Sequence, residues 1–231
     1  MNPLSVFIPV YNEEEIIVGN TERLIAYLNT LGTGYEIIIV SNGSTDKTPE
    51  LGEYLQKKHR EVKFACISQK APGSALKQGL LMASHENIIT ADMDLSVDMD
   101  FIRVANSLLS QGFDLVVGSK RMGTQKRSVM RKIASTSFII SAMLLLGLSF
   151  DDYSLAAKAY KKNILEKCLD KLKGGTFYVI EVLYFASRNN YKIVEVPVEC
   201  DDNRKSRFNL LHEGLYRFGN LFMLWLKNVV H

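Results

Sequence analysis

Between Leu4 and Gly118 the chain alternates short apolar runs with stretches of helical period. Leu4–Val10 is a compact apolar run of strand length. Over residues 13–31 the apolar positions Ile16, Ile17, Leu24, Ile25 and Leu28 recur at the spacing of one helix face. Residues 35–40 are rich in β-branched side chains, and Thr48-Pro49 is the pairing with which helices often begin. Strand patterns at 62–68, 87–91 and 113–118 alternate with helical ones after Gly73 and at 98–110. This order predicts βαβ units, hence a mostly parallel, doubly wound sheet with helices on both faces. In such sheets ligands sit beyond the carboxyl ends of the strands.

The second half is less regular. It predicts helices at 131–148, 163–172, 177–188 and 209–230, with a strand at 192–199 and a polar stretch from Asp151 to Ser154. Residues 133–150 are uncharged and just long enough for a minimal membrane span, but four serines, a threonine and a glycine dilute them. They read as a helix lying on a bilayer or closing a site. No repeat or linker divides the chain, so a single domain is expected.

The net charge of +3 is too mild to imply nucleic acid, and its distribution is more telling. Lys120, Arg121, Lys126, Arg127, Arg131 and Lys132 crowd one segment without an acid, which predicts a phosphate or an anionic membrane surface as partner. Cys66, Cys168 and Cys200 have no paired spacing, so reduced thiols and a cytoplasmic setting are expected. The N-terminus lacks the basic region and cleavage-like site of a signal peptide.

Three strand ends carry candidate chemistry. The first reads Pro9-Val10-Tyr11-Asn12-Glu13. Proline donates nothing to a sheet, so Pro9 is expected where pairing stops; Tyr11 and Glu13 then line a pocket or simply start an acidic helix turn. The second ends Ser41-Asn42-Gly43-Ser44-Thr45-Asp46, where the Asn42 amide can pair with a base edge or the segment is an ordinary capped turn. The fourth strand of the pattern ends Asp92-Met93-Asp94-Leu95-Ser96. Two carboxylates one residue apart behind an apolar strand suit Mg²⁺ or Mn²⁺, which takes one or two carboxylates and completes its shell with water and substrate phosphates.

These segments together resemble the inverting GT-A glycosyltransferases, and especially the polyisoprenyl-phosphate hexose synthases, the dolichol-phosphate mannose and glucose synthases and their bacterial relatives. VFIPVYNEEE, EIIIVSNGSTDKT, PGSALKQGLLMAS, ADMDLS, VVGSK, RKIAS with LLLGLSFDD, and YKIVEVPVEC each match a segment of that family, nearly end to end. The resemblance implies a Rossmann-like GT-A fold. It places Pro9, Tyr11, Glu13 and Asn42 in a nucleotide pocket, and Lys70 and Lys77 around the donor. Asp92, Asp94 and Ser96 fall at the metal and diphosphate. Lys120, Arg131 and Ser135 fall on the acceptor phosphate, with Asp94, Arg131 and Lys120 closest to the chemistry. Arg204 and Arg207 would close over the phosphates. Residues 1–118 would form a nucleotide-sugar half, 119–208 an acceptor half and 209–231 an amphipathic helix. The sequence departs from the family at Ser41-Asn42, where an acidic pair is usual, at Pro72 and Lys77, at Asp152–Lys158, where a DxxSGFK segment is blurred, and at Val179.

The implied activity moves a hexose from a nucleotide-diphosphate sugar of the GDP-mannose or UDP-glucose type to a polyprenyl or dolichyl phosphate, at the cytoplasmic face of a membrane and without spanning it. A soluble acceptor, or a non-catalytic homologue that only binds nucleotide or lipid, are the competing readings. The basic segment argues against the first and Asp92-Met93-Asp94 against the second.

Overall fold

A computed structural model describes residues 1–120, 122, 129–201 and 210–229, with the backbone alone at 129–132, 210–213 and 229. Sixteen elements follow in order. They are β1 (Leu4–Val10), α1 (Ile17–Asn29), β2 (Tyr35–Asn42), α2 (Thr48–Lys58), β3 (Val62–Ile67), α3 (Pro72–Met82), β4 (Asn87–Thr90) and α4 (Asp100–Ser110). Then come β5 (Leu115–Ser119), α5 (Val129–Leu146), β6 (Lys158–Lys161), α6 (Lys162–Cys168), a 3-10 turn (Leu169–Lys171), α7 (Tyr178–Arg188), β7 (Ile193–Pro197) and α8 (Leu210–Val229).

The strands form one sheet in the order β3-β2-β1-β4-β6-β5-β7. All neighbours run parallel except β6, which is antiparallel to both β4 and β5. Because the order turns back at β1, a crevice opens between the carboxyl ends of β1 and β4.

Both faces of the sheet are covered, which explains the mainly apolar strands. In β2, Ile37 and Ile39 point into the layer under α1, α2 and α4, while Ile38 and Val40 point into the layer under α3, α6 and α7. All four are wholly buried, each contributing roughly 1.5–3 kcal/mol by leaving water. Helix α1 buries Ile17, Thr21, Leu24, Ile25 and Leu28, a stripe of one helix face.

The helix expected over residues 13–31 begins only at Ile17. The preceding turn is shaped by Asn12, whose φ of 54° is left-handed. The expectation for Pro9 needs correction. Pairing of β1 with β2 continues through Pro9↔Val40 to Val10↔Ser41, and only pairing with β4 stops, at Phe7↔Thr90. Since Phe7 O accepts from Ala91 N, Pro9, two residues on, turns its donor-less edge to the same side, beyond the end of β4. Strand β6 has no counterpart among the elements expected from the sequence pattern.

Helices α5 and α8 pack against each other through an edge-to-face contact of Phe138 and Phe218, 5.3 Å between centroids. Much of their outer surface is apolar and exposed, with Leu144 at 74% and Leu215 at 71%. Among the described residues no helix is long and apolar enough to cross a membrane. None of the three cysteines forms a disulfide.

Candidate active site

The loops after β1 and β2 are laced together. Asn12 N donates to Ser44 Oγ at 3.0 Å and Thr45 N donates back to Asn12 Oδ1 at 2.8 Å. Glu13 N donates to Thr48 Oγ1 at 2.8 Å, and Lys47 N to Glu14 Oε2 at 2.9 Å. Asp46 accepts from Thr48 N at 3.0 Å in a turn just ahead of α2. Tyr11 and Glu13 are thereby fixed at the mouth of the crevice.

Asn42, at the end of β2, accepts from Ala71 N through Oδ1 at 2.5 Å. Only an oxygen can accept there, so its amide nitrogen is turned away. Gly43 follows with φ of 72°, and a Cβ on it would press on Lys70 N at 2.8 Å, so glycine is required. The Lys70 ammonium lies 3.6 Å from the centroid of the Tyr11 ring, a cation–π contact at the pocket edge.

Beyond β4, Leu95 N donates to Asp92 O at 3.1 Å and closes a tight turn. Leu95 adopts φ of 50°, a conformation that costs a side chain of its size about 1 kcal/mol or more. Ser96 enters through its backbone, donating to Asp94 Oδ1 at 3.0 Å. From α1, Asn20 Nδ2 donates to Met93 O at 2.9 Å and holds the turn down. Asp92 is exposed to solvent, with many protein atoms close around it at the end of β4. That confinement and the neighbouring Asp94 push its carboxyl up to about 6, against the pull of Lys120 and Lys158. Among the described residues no three His, Cys, Asp or Glu side chains gather as a closed metal cage. A two-carboxylate set that leaves room for diphosphate oxygens and water suits Mg²⁺ or Mn²⁺.

Across the crevice the chemistry is cationic and buried. Lys120, just past β5, is 3% exposed. Its ammonium donates to Ser154 Oγ at 2.8 Å and lies 3.5 Å from Asp152 Oδ2. Asp152 Oδ1 accepts from Ser154 N at 2.7 Å, Ser154 Oγ at 2.9 Å and Leu155 N at 3.1 Å. Burial alone would lift the Asp152 carboxyl, but Lys158, Lys120 and these donors outweigh it and hold it below its ordinary value. Lys158 is wholly buried and donates to Leu155 O at 3.1 Å. Desolvation drives it down to about 8, opposed chiefly by Asp152. Strand β6 explains how these groups arrive: Lys158 is its first residue, in register with Thr90 of β4 and Val117 of β5. Thr90 Oγ1 donates to Ala156 O and, at 3.1 Å, to Lys158 O, closing the seam. Burial lifts the Tyr178 hydroxyl well above its ordinary value, and the charge of Asp92 adds to it.

Of the expected residues, Pro9, Tyr11, Glu13, Asn42, Lys70, Asp92, Asp94, Ser96 and Lys120 all fall at the carboxyl ends of strands. Lys77 lies further along α3, where its charge is felt at Glu181. Ser135 is half-buried on α5. The Arg131 side chain and the whole of Arg204 and Arg207 lie outside the described residues, as do Arg121, Lys126 and Arg127. Sequence reasoning passed over Asn20, Ser154, Lys158, Tyr178 and Arg217 as individual site residues. Asp152 and Lys158 did lie in a segment with a family counterpart, and that was their only signal.

The chain matches Glycosyl transferase family 2 over residues 5–211. It is 33% identical over 218 residues to an undecaprenyl-phosphate 4-deoxy-4-formamido-L-arabinose transferase of Photorhabdus laumondii subsp. laumondii, covering 90% of this chain and 65% of that protein. It is 27% identical to a dolichyl-phosphate beta-glucosyltransferase of Drosophila melanogaster, covering 98% of this chain and 76% of that one. The chain thus spans about two thirds of the length of such relatives. Among solved structures it shares its fold with glucosyl-3-phosphoglycerate synthase of Mycobacterium tuberculosis in complex with Mn²⁺, UDP and phosphoglyceric acid. That match has a TM-score of 0.68 and 19% identity, over 97% of this chain and 78% of that one. Mannosyl-3-phosphoglycerate synthase of Rubrobacter xylanophilus superposes with a TM-score of 0.72 at 13% identity, over 98% and 74%.

Proposed function

The chain belongs to glycosyl transferase family 2, and on that premise we propose that it transfers a hexose from a nucleoside diphosphate to a polyprenyl phosphate, inverting C1, at the cytoplasmic face of a membrane. One observation carries the reading. The acidic pair beyond β4 and the buried cations Lys120 and Lys158 meet at adjoining strand ends of one sheet, with Lys158 in register with both Thr90 and Val117.

The two walls suit two anions that repel each other. On the donor wall, Asp92 and Asp94 would hold Mg²⁺ or Mn²⁺, which when bound neutralises charge on the departing diphosphate. The Mycobacterium tuberculosis synthase, whose complex holds Mn²⁺ and UDP, supports this. Tyr11, Asn42 and Lys70 border the nucleotide there; a UDP-glucose or GDP-mannose type of donor fits the family. On the acceptor wall Lys120 would receive the phosphate, and Ser135 of α5 would join it, as would Arg131, Arg204 and Arg207 by the family resemblance. The names of the Photorhabdus and Drosophila relatives include undecaprenyl and dolichyl phosphate, which supports a polyprenyl acceptor. A phosphate ester with its second pKa near ~6 is already doubly ionised near neutrality, so its oxygen attacks C1 without a general base. Residues 1–118 then serve the donor and 119–208 the acceptor.

The acceptor's lipid tail needs a bilayer. Ile140, Met143 and Leu144 on α5 and Leu215, Phe222 and Met223 on α8 offer an exposed apolar ridge for shallow insertion. The basic residues of the 120–132 segment add attraction of up to ~1 kcal/mol each near anionic lipid.

The test is transfer of labelled sugar to vesicle-borne polyprenyl phosphate with Mn²⁺. EDTA should abolish it, and Asp94→Asn should lower it by at least about a hundredfold, the scale of ~3 kcal/mol of lost charge stabilisation. Undiminished transfer in EDTA overturns the metal role; no transfer with any nucleotide sugar overturns the activity.

A further inference from the structure

The seat of Lys120 is held from a distant helix. Its ammonium rests on Ser154 Oγ and beside Asp152, and both residues belong to the turn 152–155. Asp152 spends Oδ1 on three donors within that turn. Its other oxygen, Oδ2, is buried without a hydrogen bond and faces the ammonium at 3.5 Å. Between these two residues stands Tyr153. Its carbonyl accepts from Arg217 Nη2 of α8 at 2.9 Å, and its hydroxyl donates to Leu148 O at 3.1 Å. The Arg217 guanidinium also lies 5.3 Å from the centroid of the Phe138 ring of α5. A continuous set of contacts therefore joins α8, with its exposed Leu215, Phe218 and Phe222, to the buried cation at the end of β5.

We propose that Arg217 and Asp152 are positioning residues for acceptor capture: together they fix the turn that aims the Lys120 ammonium, and through Arg217 the helix bearing the apolar ridge sets that aim. The inference rests on the acceptor role given above to Lys120. Arg217 reaches the turn through one carbonyl in the middle of it. Without that bond the peptide joining Tyr153 to Ser154 is held from one side alone, through Ser154 N on Asp152 Oδ1, and a tilt of it carries the Ser154 hydroxyl along. A shift of about 1 Å at a reacting group can cost on the order of a hundredfold. Asp152 acts from the other side, opposing the ammonium with charge. Neither residue need touch substrate. The donor wall, held by Asn20 and the turn at Asp92, does not share these contacts.

The experiment measures steady-state transfer from the donor of the wild-type chain to a short, water-soluble prenyl phosphate, so that vesicle binding does not enter. Arg217→Met keeps the apolar stem over Phe138; Asp152→Asn keeps the turn's acceptor. Each should raise the acceptor KM about tenfold, the scale of one hydrogen bond to a charged group, with the donor KM unchanged; the thermal midpoint should hold in Arg217→Met and fall in Asp152→Asn, which takes the counter-charge from buried Lys120 and Lys158. The double variant should lose far less than the product of the two, since both act on one turn. Arg217→Lys should recover part of the loss. An unchanged acceptor KM in Arg217→Met, a fully multiplicative double variant, or a donor KM raised as much as the acceptor KM in Arg217→Met would overturn the proposal while leaving the transferase reading intact. A wild-type chain that transfers to no prenyl phosphate overturns both.

Discussion

The two walls of the crevice are built by opposite means. The donor wall is a lattice of short polar loops in which backbone amides meet nearby side chains, as between Asn12 and Thr45 or Glu13 and Thr48. Its charged groups at Asp92 and Asp94 keep access to solvent. The acceptor wall buries Lys120, Asp152 and Lys158 almost completely and tolerates them only because they face one another. An unpaired charge in such a place costs several kcal/mol. Rigidity on the donor side thus comes from many weak, replaceable bonds, and on the acceptor side from a few strong, mutually dependent ones. Substitutions should be forgiven along the donor loops outside the carboxylate pair and punished on the acceptor wall.

The sharpest way to break this contrast is Lys120→Met. It should cut kcat/KM for polyprenyl phosphate about a hundredfold, a loss of the order of 3 kcal/mol, while calorimetric affinity for the nucleotide with Mn²⁺, measured well above neutrality where Asp92 stays ionised without the pull of Lys120, stays within about twofold. A comparable fall in donor affinity would mean the walls are not separate. A second test uses protons. Asp92 must be ionised to hold a metal, and its carboxyl sits at about 6. Metal-dependent nucleotide affinity, titrated without acceptor, should be flat above pH 7 and fall below pH 6 by up to about tenfold per unit. A profile flat down to pH 5 would contradict the assignment. The smallest effect concerns the apolar ridge. Leu144→Ser with Phe222→Ser should weaken flotation with anionic vesicles severalfold, each side chain contributing about 1–2 kcal/mol, and leave turnover of a short soluble prenyl phosphate unaltered. Equal vesicle binding would remove α5 and α8 from the membrane contact.

The strand ends assigned here to the proposed donor wall were legible in the sequence, and much of what surrounds Lys120 was not. Strands such as Leu4–Val10 are buried on both faces, so they appear as mainly apolar runs, and the polar residues that follow them mark the site directly. Strand β6 reads Lys-Ala-Tyr-Lys, which resembles a surface segment. Its first lysine can lie in mid-sheet only because Asp152, Leu155 O and the ends of β4 and β5 converge on it, and that convergence joins residues far apart in the chain. Arg217 was hidden for a related reason. A cation on an amphipathic helix looks solvated until the carbonyl it grips, more than sixty positions earlier, is known. Asn20 looks like any polar residue on the outer face of α1, and only the fold shows that it reaches Met93 O.

The reversed direction of β6 also bears on how the chain folds as it is synthesised. In the finished sheet β5 touches only β6 and β7, both made later. When residue 119 leaves the ribosome, β1 to β4 can already pair as a four-stranded unit, but β5 has no neighbour to join. It must wait roughly forty residues for Lys158–Lys161 to fill the gap beside β4. Such delayed, long-range pairing is slow and leaves an apolar edge uncovered meanwhile. A nascent chain arrested before residue 158 should therefore protect β1 to β4 from proteolysis while leaving Leu115–Ser119 open to cleavage, and one released after residue 197 should protect both.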